Sequence, residues 1–335
     1  VCQERETVMS HRRWQNATLF ITLLMIMVLA GSVIKAQPSA PLEGSFRGAL
    51  ALRRVPVADV TRQSGQLILL VPEMVGQNPP PIATSDRAIH LLGWLDGGLL
   101  FLRAGDDGQL EAIRFDTEEG LETRLAAGLP ATYRYALTPD GAWVVGWPGG
   151  AQAALAEMRV YEAATMSLAA TYDLSAAGLS GVELAGVVEA TATFFATQAG
   201  DDAVLTVDLA TGVISGPVAA LAEGDGPEQI LSGALAPGTP LALVARPEPK
   251  ALPGVFTLAP GAAGPAQSHS LPDAVQRVIW QPDGAGAAVV TSVPGDFSGS
   301  SLLLTDAGFG TVSAPLRVAF NSCALFTPDS RWLLF

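Results

Sequence analysis

"RVIWQPDGAGAAVV", residues 277–290, decides the fold. An apolar run ends in a tryptophan, a Pro-Asp-Gly corner follows, and a second run of small apolar residues comes after it. Proline presets φ, aspartate closes the bend through its side chain, and glycine takes the positive φ. The phrase therefore reads as two antiparallel strands joined by a tight corner. It recurs as "GWLDGGLLFLRAG" (93–105), "ALTPDGAWVVGW" (136–147), "GALAPGTPLALVAR" (233–246) and "ALFTPDSRWLLF" (324–335), with a degenerate copy at "AGVVEATATFFATQ" (185–198). Pro139 to Pro237 is 98 residues, two steps of 49, and the next steps are 45 to Pro282 and 46 to Pro328. Each copy needs an anchor before its corner, and Trp94, Leu137, Trp280 and Phe326 stand in that place. A period of this length signals stacked four-stranded units.

Between the corners lies a second recurring phrase, again strand, turn, strand. Its copies are "LEAIRFDTEEGLETRLAAG" (110–128), "MRVYEAATMSLAATYDLS" (158–175), "AVLTVDLATGVISGPVAAL" (203–221), "GVFTLAPGAAGPAQSHSLP" (254–272) and "SLLLTDAGFGTVSAPL" (301–316). Asp116, Asp208 and Asp306 hold matching places, 92 and 98 residues apart. These turns end a third strand and begin a fourth. At the ends stand two half-units, "RRVPVADVTRQSGQLILLVPE" (53–73) without a corner and 324–335 with nothing after its corner. Five complete units and two halves make six, and the halves pair with each other if the sheets close into a ring. The expected fold is all-β, a six-bladed β-propeller over residues 45–335, with 53–73 and 324–335 closing one blade. The Pro-rich stretch 74–87 reads as a connection on one face of the ring. The alternative is a fragment, with more blades or a further domain beyond Phe335.

The Pro-Asp-Gly corners resemble the WD40-like (PD40) repeats of TolB-type propellers, whose units look like Trp-Ser-Pro-Asp-Gly followed by an apolar strand. Here Gln281 and Thr138 replace the serine, and Thr327-Pro328-Asp329-Ser330 lacks the glycine. "VLTVDLATGVISGPV" (204–218) also resembles the YVTN-type repeats of lactonase-like propellers. The resemblance implies a six-bladed ring in an extracytoplasmic compartment, serving as a binding platform or as a propeller attached to an enzyme domain. Its residues build turns and core, so it speaks to fold far more than to function.

Composition agrees with a large core: 49% of 335 residues are apolar and 15% charged. The formal charge of -13 and the scatter of basic residues after Arg54 argue against nucleic acid and against anionic membrane surfaces. Upstream, Met9 reads as a fresh start. His11, Arg12 and Arg13 precede an apolar run from residue 17 to 34, so residues 1–36 form an N-terminal hydrophobic helix that is either a cleaved signal peptide or an uncleaved membrane anchor. Residues 37–44 are a linker, and Ser32 stands where a lipidated cysteine would have to be. The chain from 37 onward is placed outside the cytoplasm, whether periplasmic, cell-surface or secreted, with membrane contact only through residues 17–34.

Catalytic signatures are sparse. No Gly-x-Ser-x-Gly elbow occurs, and "GLSGVE" (178–183) has the wrong spacing. His90 and His269 lie far apart and read as packing or surface residues rather than ligands, and Cys323, among Ala324, Leu325 and Phe326, reads as a small buried hydrophobe. "GDDG" (105–108) and "GDDA" (200–203) offer oxygen-rich turns but not the staggered spacing of a calcium loop. Arg103, Arg114, Arg134 and Arg246 are candidates for an anion-binding face. No catalytic, cofactor-binding or metal residue is assigned and no cofactor is expected. The favoured reading is a non-enzymatic scaffold for a protein or cell-envelope partner. The alternatives are a lactonase-like hydrolase and the propeller portion of a larger peptidase. The channel mouth separates the first two: three or more Asp, Glu, Asn or His there favour metal chemistry, and aromatic or aliphatic residues favour a partner.

Overall fold

The computed structural model describes residues 50–54, 65–70, 81–85, 89–150, 153–196, 203–219, 229–246, 251–259, 266–271, 273–292, 299–310, 313–318, 324–327, 330–331 and 333–334. The expected N-terminal helix, its linker, Cys323 and Asp201–Asp202 of the second acidic pair lie outside them. No helix among the described residues is long and apolar enough to cross a membrane.

The architecture is an all-β propeller. A three-stranded sheet comes first, β1 (Leu50–Arg54), β2 (Gly65–Leu70) and β3 (Pro81–Ser85). Five four-stranded antiparallel sheets follow. The first holds β4 (Ile89–Leu95), β5 (Gly98–Ala104), β6 (Leu110–Asp116) and β7 (Glu122–Leu129). The second holds β8 (Tyr133–Leu137), β9 (Trp143–Pro148), β10 (Glu157–Glu162) and β11 (Ser167–Asp173). The third holds β12 (Val182–Val188), β13 (Thr191–Ala196), β14 (Ala203–Asp208) and β15 (Ile214–Ala219). The fourth holds β16 (Gln229–Ala234), β17 (Leu241–Arg246), β18 (Gly254–Leu258) and β19 (Gln267–His269). The fifth holds β20 (Ala274–Trp280), β21 (Gly286–Ser292), β22 (Ser300–Asp306) and β23 (Leu316–Val318). A two-stranded sheet, β24 (Leu325–Phe326) and β25 (Leu333–Leu334), comes last.

The corners form as the residue types dictate. Gly141 N–H donates to Thr138 O at 2.9 Å, Thr239 to Ala236 at 3.2 Å, Gly284 to Gln281 at 2.9 Å and Ser330 to Thr327 at 2.9 Å. Each is the i to i+3 bond of a β-turn. Gly141, Gly238 and Gly284 take φ near 70°, and Ser330, where the glycine is missing, is forced to 58°. The third-to-fourth turns are held by their aspartates. Asp208 Oδ1 accepts from the amides of Ala210 and Thr211, Asp116 Oδ1 from Glu118 and Glu119, and Asp306 Oδ1 from Gly308 and Gly310. Those backbone donors hold the Asp116 carboxyl below the usual range; at Asp208 the Thr211 hydroxyl and amide do the same.

The sheets are joined by cores that lie between sequence neighbours. One packs Leu67 and Ala83 against Ile89, Phe101 and Ile113; the next packs Leu100 and Leu102 against Val144 and Tyr161. The series continues through Val145 and Val160 against Phe194 and Leu205, Phe195 and Val204 against Ile230 and Leu243, and Val244 and Val255 against Val278 and Val289. It ends with Ala288, Val290 and Leu302 against Ala324 and Leu333. Each sheet alternates, so it buries one set of side chains against the sheet before it and the other against the sheet after it. A fully buried Leu or Phe contributes about 1.5–3 kcal/mol, which makes these interfaces the main source of stability.

Three expectations need correction. Stretch 74–87 is more than a connection, because it contributes β3, paired through Ile68 and Pro81; proline is tolerated there as the first residue of an edge strand, where no ladder N–H is needed. The segment 53–73 is not a third-and-fourth-strand pair: β1 begins at Leu50 and pairs directly with β2. Trp94 is no anchor, being 43% exposed, while Leu95 is 5% exposed. Trp94 stands opposite Leu99 as Trp280 stands opposite Ala287, and both follow a register slip in their strand, so the difference in burial comes from what packs over the ring: Trp280 is covered by Phe309 and bonded to Ala234 O. At the two ends of the chain, among the described strands, β24 pairs with β25 and β1–β3 form a sheet of their own.

Candidate functional site

In each four-stranded sheet the corner joining the first two strands and the turn joining the last two fall at the same end. Gly98 pairs with Asp116, Trp143 with Glu162, Thr191 with Asp208 and Gly286 with Asp306. Within the first of these sheets Arg114 Nη2 donates to Asp96 O at 2.9 Å and the Thr117 hydroxyl to Gly97 O at 2.6 Å, tying turn to corner. Corners also meet their neighbours: Gly284 lies against Thr239 and the Pro237 carbonyl, and the Gln281 amide donates to Ser330 O at 3.3 Å. The corner end is therefore one connected surface across neighbouring sheets.

At this end Pro139, Pro237 and Pro282 rim a cavity of about 570 Å³. Its wall is the first strand of three successive sheets, with Ala185 and Val187 from β12, Ser232 to Leu235 from β16 and its corner, and Gln276 to Trp280 from β20. Bulges recur here. The register slips by one residue in β4, β12, β16 and β20, each against its own second strand. A bulge tightens the local twist and re-aims side chains, which suits a strand that lines a narrow channel. The Trp280 indole N–H donates to Ala234 O at 3.1 Å, and its ring meets Phe309 edge-on at 5.4 Å, so the largest side chain of the wall is fixed in place. Among the described residues the lining contains no Asp, Glu or His, and its one charged side chain is Arg277.

Exposed aliphatic side chains sit on the third-to-fourth turns of two sheets and at the start of the fourth strand of the sheet between them: Leu121 is 59% exposed, Val213 61% and Leu168, on β11, 56%. Leu121 and Val213 are equivalent, each accepting through its carbonyl from the amide of the turn aspartate, Asp116 or Asp208. Carboxylates are interspersed with them, and Asp96, Glu118, Glu119, Asp140, Glu189 and Asp283 are all exposed at corners or turns of this end. The residue types were legible in the repeats. Their shared end was not, because it follows from strand register.

The arginines proposed as an anion-binding face do not converge. Arg103 lies at the far end of β5, 3.0 Å from Glu122 and 4.0 Å from Glu111, whereas Arg114 sits at the corner end. Arg134 pairs with Glu183 across two neighbouring first strands, and Arg246 ends β17. His90 is exposed on β4. His269 is half-buried, its Nε2 2.7 Å from the Thr257 hydroxyl and its ring 5.0 Å from Phe309, and burial lowers its pKa. In the Asp106-Asp107 turn, Asp107 Oδ1 accepts from the Gln109 amide at 2.9 Å, ordinary turn closure. No group of three or more His, Cys, Asp or Glu among the described residues is placed to hold a metal ion. The residues sequence reasoning missed are those of the wall, Gln276, Arg277 and Ser232; the run before each corner marked a first strand but not which side faced the channel.

No family model and no curated protein matches this sequence. Solved structures do. A protein described as TolB from Agrobacterium tumefaciens is 12% identical, over 77% of this chain and 92% of its own, with a TM-score of 0.53. An oligogalacturonate lyase in complex with manganese is 16% identical, over 81% of each chain, with a TM-score of 0.57. The β-propeller domain of the Trilobed protease from Pyrococcus furiosus, described as having an open velcro topology, is 9% identical over 84% of each chain, with a TM-score of 0.52. The chain thus has the TolB-type β-propeller fold. Proteins of such different activity on one fold leave function to the site itself.

Proposed function

We propose that this protein is an extracytoplasmic, non-enzymatic propeller whose corner end docks a partner protein of the cell envelope. The observation that carries the reading is the recurrence of exposed Leu121, Leu168 and Val213 at one end of three successive sheets, the end at which Pro139, Pro237 and Pro282 line a cavity. Isolated exposed aliphatics are commonplace, but a set repeated at one end of successive sheets is the pattern of an interaction surface. The exposed carboxylates among them favour a partner with a basic face, since complementary charge steers encounter and excludes wrong partners. The apolar lining of the mouth supports a binder over a metal-dependent hydrolase by the criterion set from the sequence. In this reading residues 17–34 carry the chain to or across a membrane.

The test is in-cell photocross-linking at position 121 or 213, followed by identification of the adduct. A single envelope protein, captured from both positions and lost when Leu121 and Val213 are changed to Asp in a chain cross-linked from position 168, supports the proposal. Adducts that differ between positions, or that survive the double change, overturn it.

A further inference from the structure

The cavity behind the rim has a chemistry that protein docking does not call on. Its body is aliphatic, with Ala185, Val187, Leu235, Val278 and Ile279 around the fixed ring of Trp280. Trp280 has already committed its only donor to Ala234 O, so it offers the cavity apolar surface. Arg277 is exposed on β20 and makes no hydrogen bond or ion pair to another described residue. Elsewhere glutamates neutralise Arg103, Arg124, Arg134 and Arg159. In a chain of net charge -13, a guanidinium in an apolar wall with no carboxylate among its described lining residues is a site open to an anion from outside.

We propose that this cavity binds an apolar molecule ending in a carboxylate, the guanidinium of Arg277 gripping the carboxylate and the wall burying the apolar body. Arginine suits the task because its planar fork meets both carboxylate oxygens at once. Gln276 and Ser232 add neutral donors to the same lining. A volume of about 570 Å³ falls in the range of small-molecule sites. Two sources share this chemistry, a free medium-chain fatty acid and the C-terminus of an aliphatic peptide. The inference goes beyond the docking proposal and does not rest on it, since it needs no residue of the outer turns.

Isothermal titration of the full chain, with four probes, decides it: sodium octanoate, octanamide, acetyl-Ala-Leu-Leu with a free carboxylate, and the same tripeptide as its amide. At least one acid binds while its amide binds about tenfold or more weakly, and Arg277→Gln removes that difference. Octanoate alone identifies a fatty-acid site, the acid tripeptide alone a peptide-terminus site, and both together the shared chemistry. Arg277→Lys retains part of the preference, and it serves as the folded comparison if the glutamine variant fails to fold. Acids and amides binding alike, neither acid binding at millimolar concentration, or an unchanged preference in Arg277→Gln with Arg317→Gln as the control, overturns the proposal.

Discussion

The backbone N–H of Asp283 donates to the hydroxyl of Ser330 at 3.0 Å, joining the corner of the last four-stranded sheet to the corner of the two-stranded sheet that follows. The residues are 47 apart, one repeat, and the bond exists because a serine replaces the glycine of the other corners. Ser330→Ala removes the acceptor and keeps the left-handed φ of 58°. It lowers stability by about 1 kcal/mol, read as a shift of the urea midpoint at constant slope. Ser330→Gly loses the same bond but relieves the backbone, so its midpoint falls between alanine variant and parent.

Trp280→Phe keeps most of the ring in the wall and takes the donor away from Ala234 O. A carbonyl losing its partner beside an apolar wall costs about 1–3 kcal/mol, and Trp280→Ala, which also leaves a hole, about 3–5 kcal/mol. The ordering of the two in denaturant melts checks the assignment. A loss near zero in Trp280→Phe would show that the hydrogen bond contributes nothing.

Gly98 and Gly286 open the second strand after their corners, and a Cβ at either would stand 2.6 Å from the Phe115 carbonyl or 2.5 Å from the Thr305 carbonyl. Backbone cannot move aside as a side chain can. Gly98→Ala and Gly286→Ala therefore destabilise by about 1–3 kcal/mol each through overpacking. Because the sites lie in different sheets, the double variant loses the sum.

The turn aspartates make stability fall in acid. At Asp208 the Thr211 hydroxyl and amide bonds hold the folded carboxyl below its ordinary 3.8, and at Asp116 the Glu119 and Glu118 amides do the same. A depressed folded pKa gives stability that is complete above the ordinary value and is lost as the pH falls through the lowered one. Urea midpoints followed from pH 5 to 2, estimated to bracket this range, drop in the parent and drop less in Asp208→Asn.

At the alkaline end the same linkage has the opposite sign. Burial, then its hydrogen bond to Glu157, pushes the Tyr133 phenol up from 10.0 to about 12, and burial raises Tyr135 as well. Their neutral forms belong to the fold, so stability is whole below pH 10.0 and is lost as pH rises through about 12. Phenolate absorbance at 295 nm, an approximate wavelength, titrates late in the folded chain, and Tyr133→Phe removes one late-titrating group.

How much of this was legible beforehand differs by kind of feature. The corners and the turn aspartates were, because a β-turn is a local event and Pro139, Asp140 and Gly141 carry its geometry within one another's reach. Buried Trp280 was legible for the same reason. Trp94 was misjudged because burial of an anchor depends on what distant parts of the chain lay over it, as Phe309 and Ala234 do for Trp280, and the local run does not contain that. Strand β3 was missed because three prolines in a row read as loop, although an edge strand admits proline at its start.

From the order of its residues alone this chain determines sheets of about four strands, repeated at a fixed period, since turn chemistry and alternating apolar runs act between near neighbours. The tertiary structure alone decided that the corners share one end, that Arg277 joins an aliphatic wall while Arg134 meets Glu183, and that exposed aliphatics from three sheets lie at that same end. Those relations join residues one repeat or more apart. They depend on strand register and on how each sheet packs on the next, which no single stretch of the chain contains.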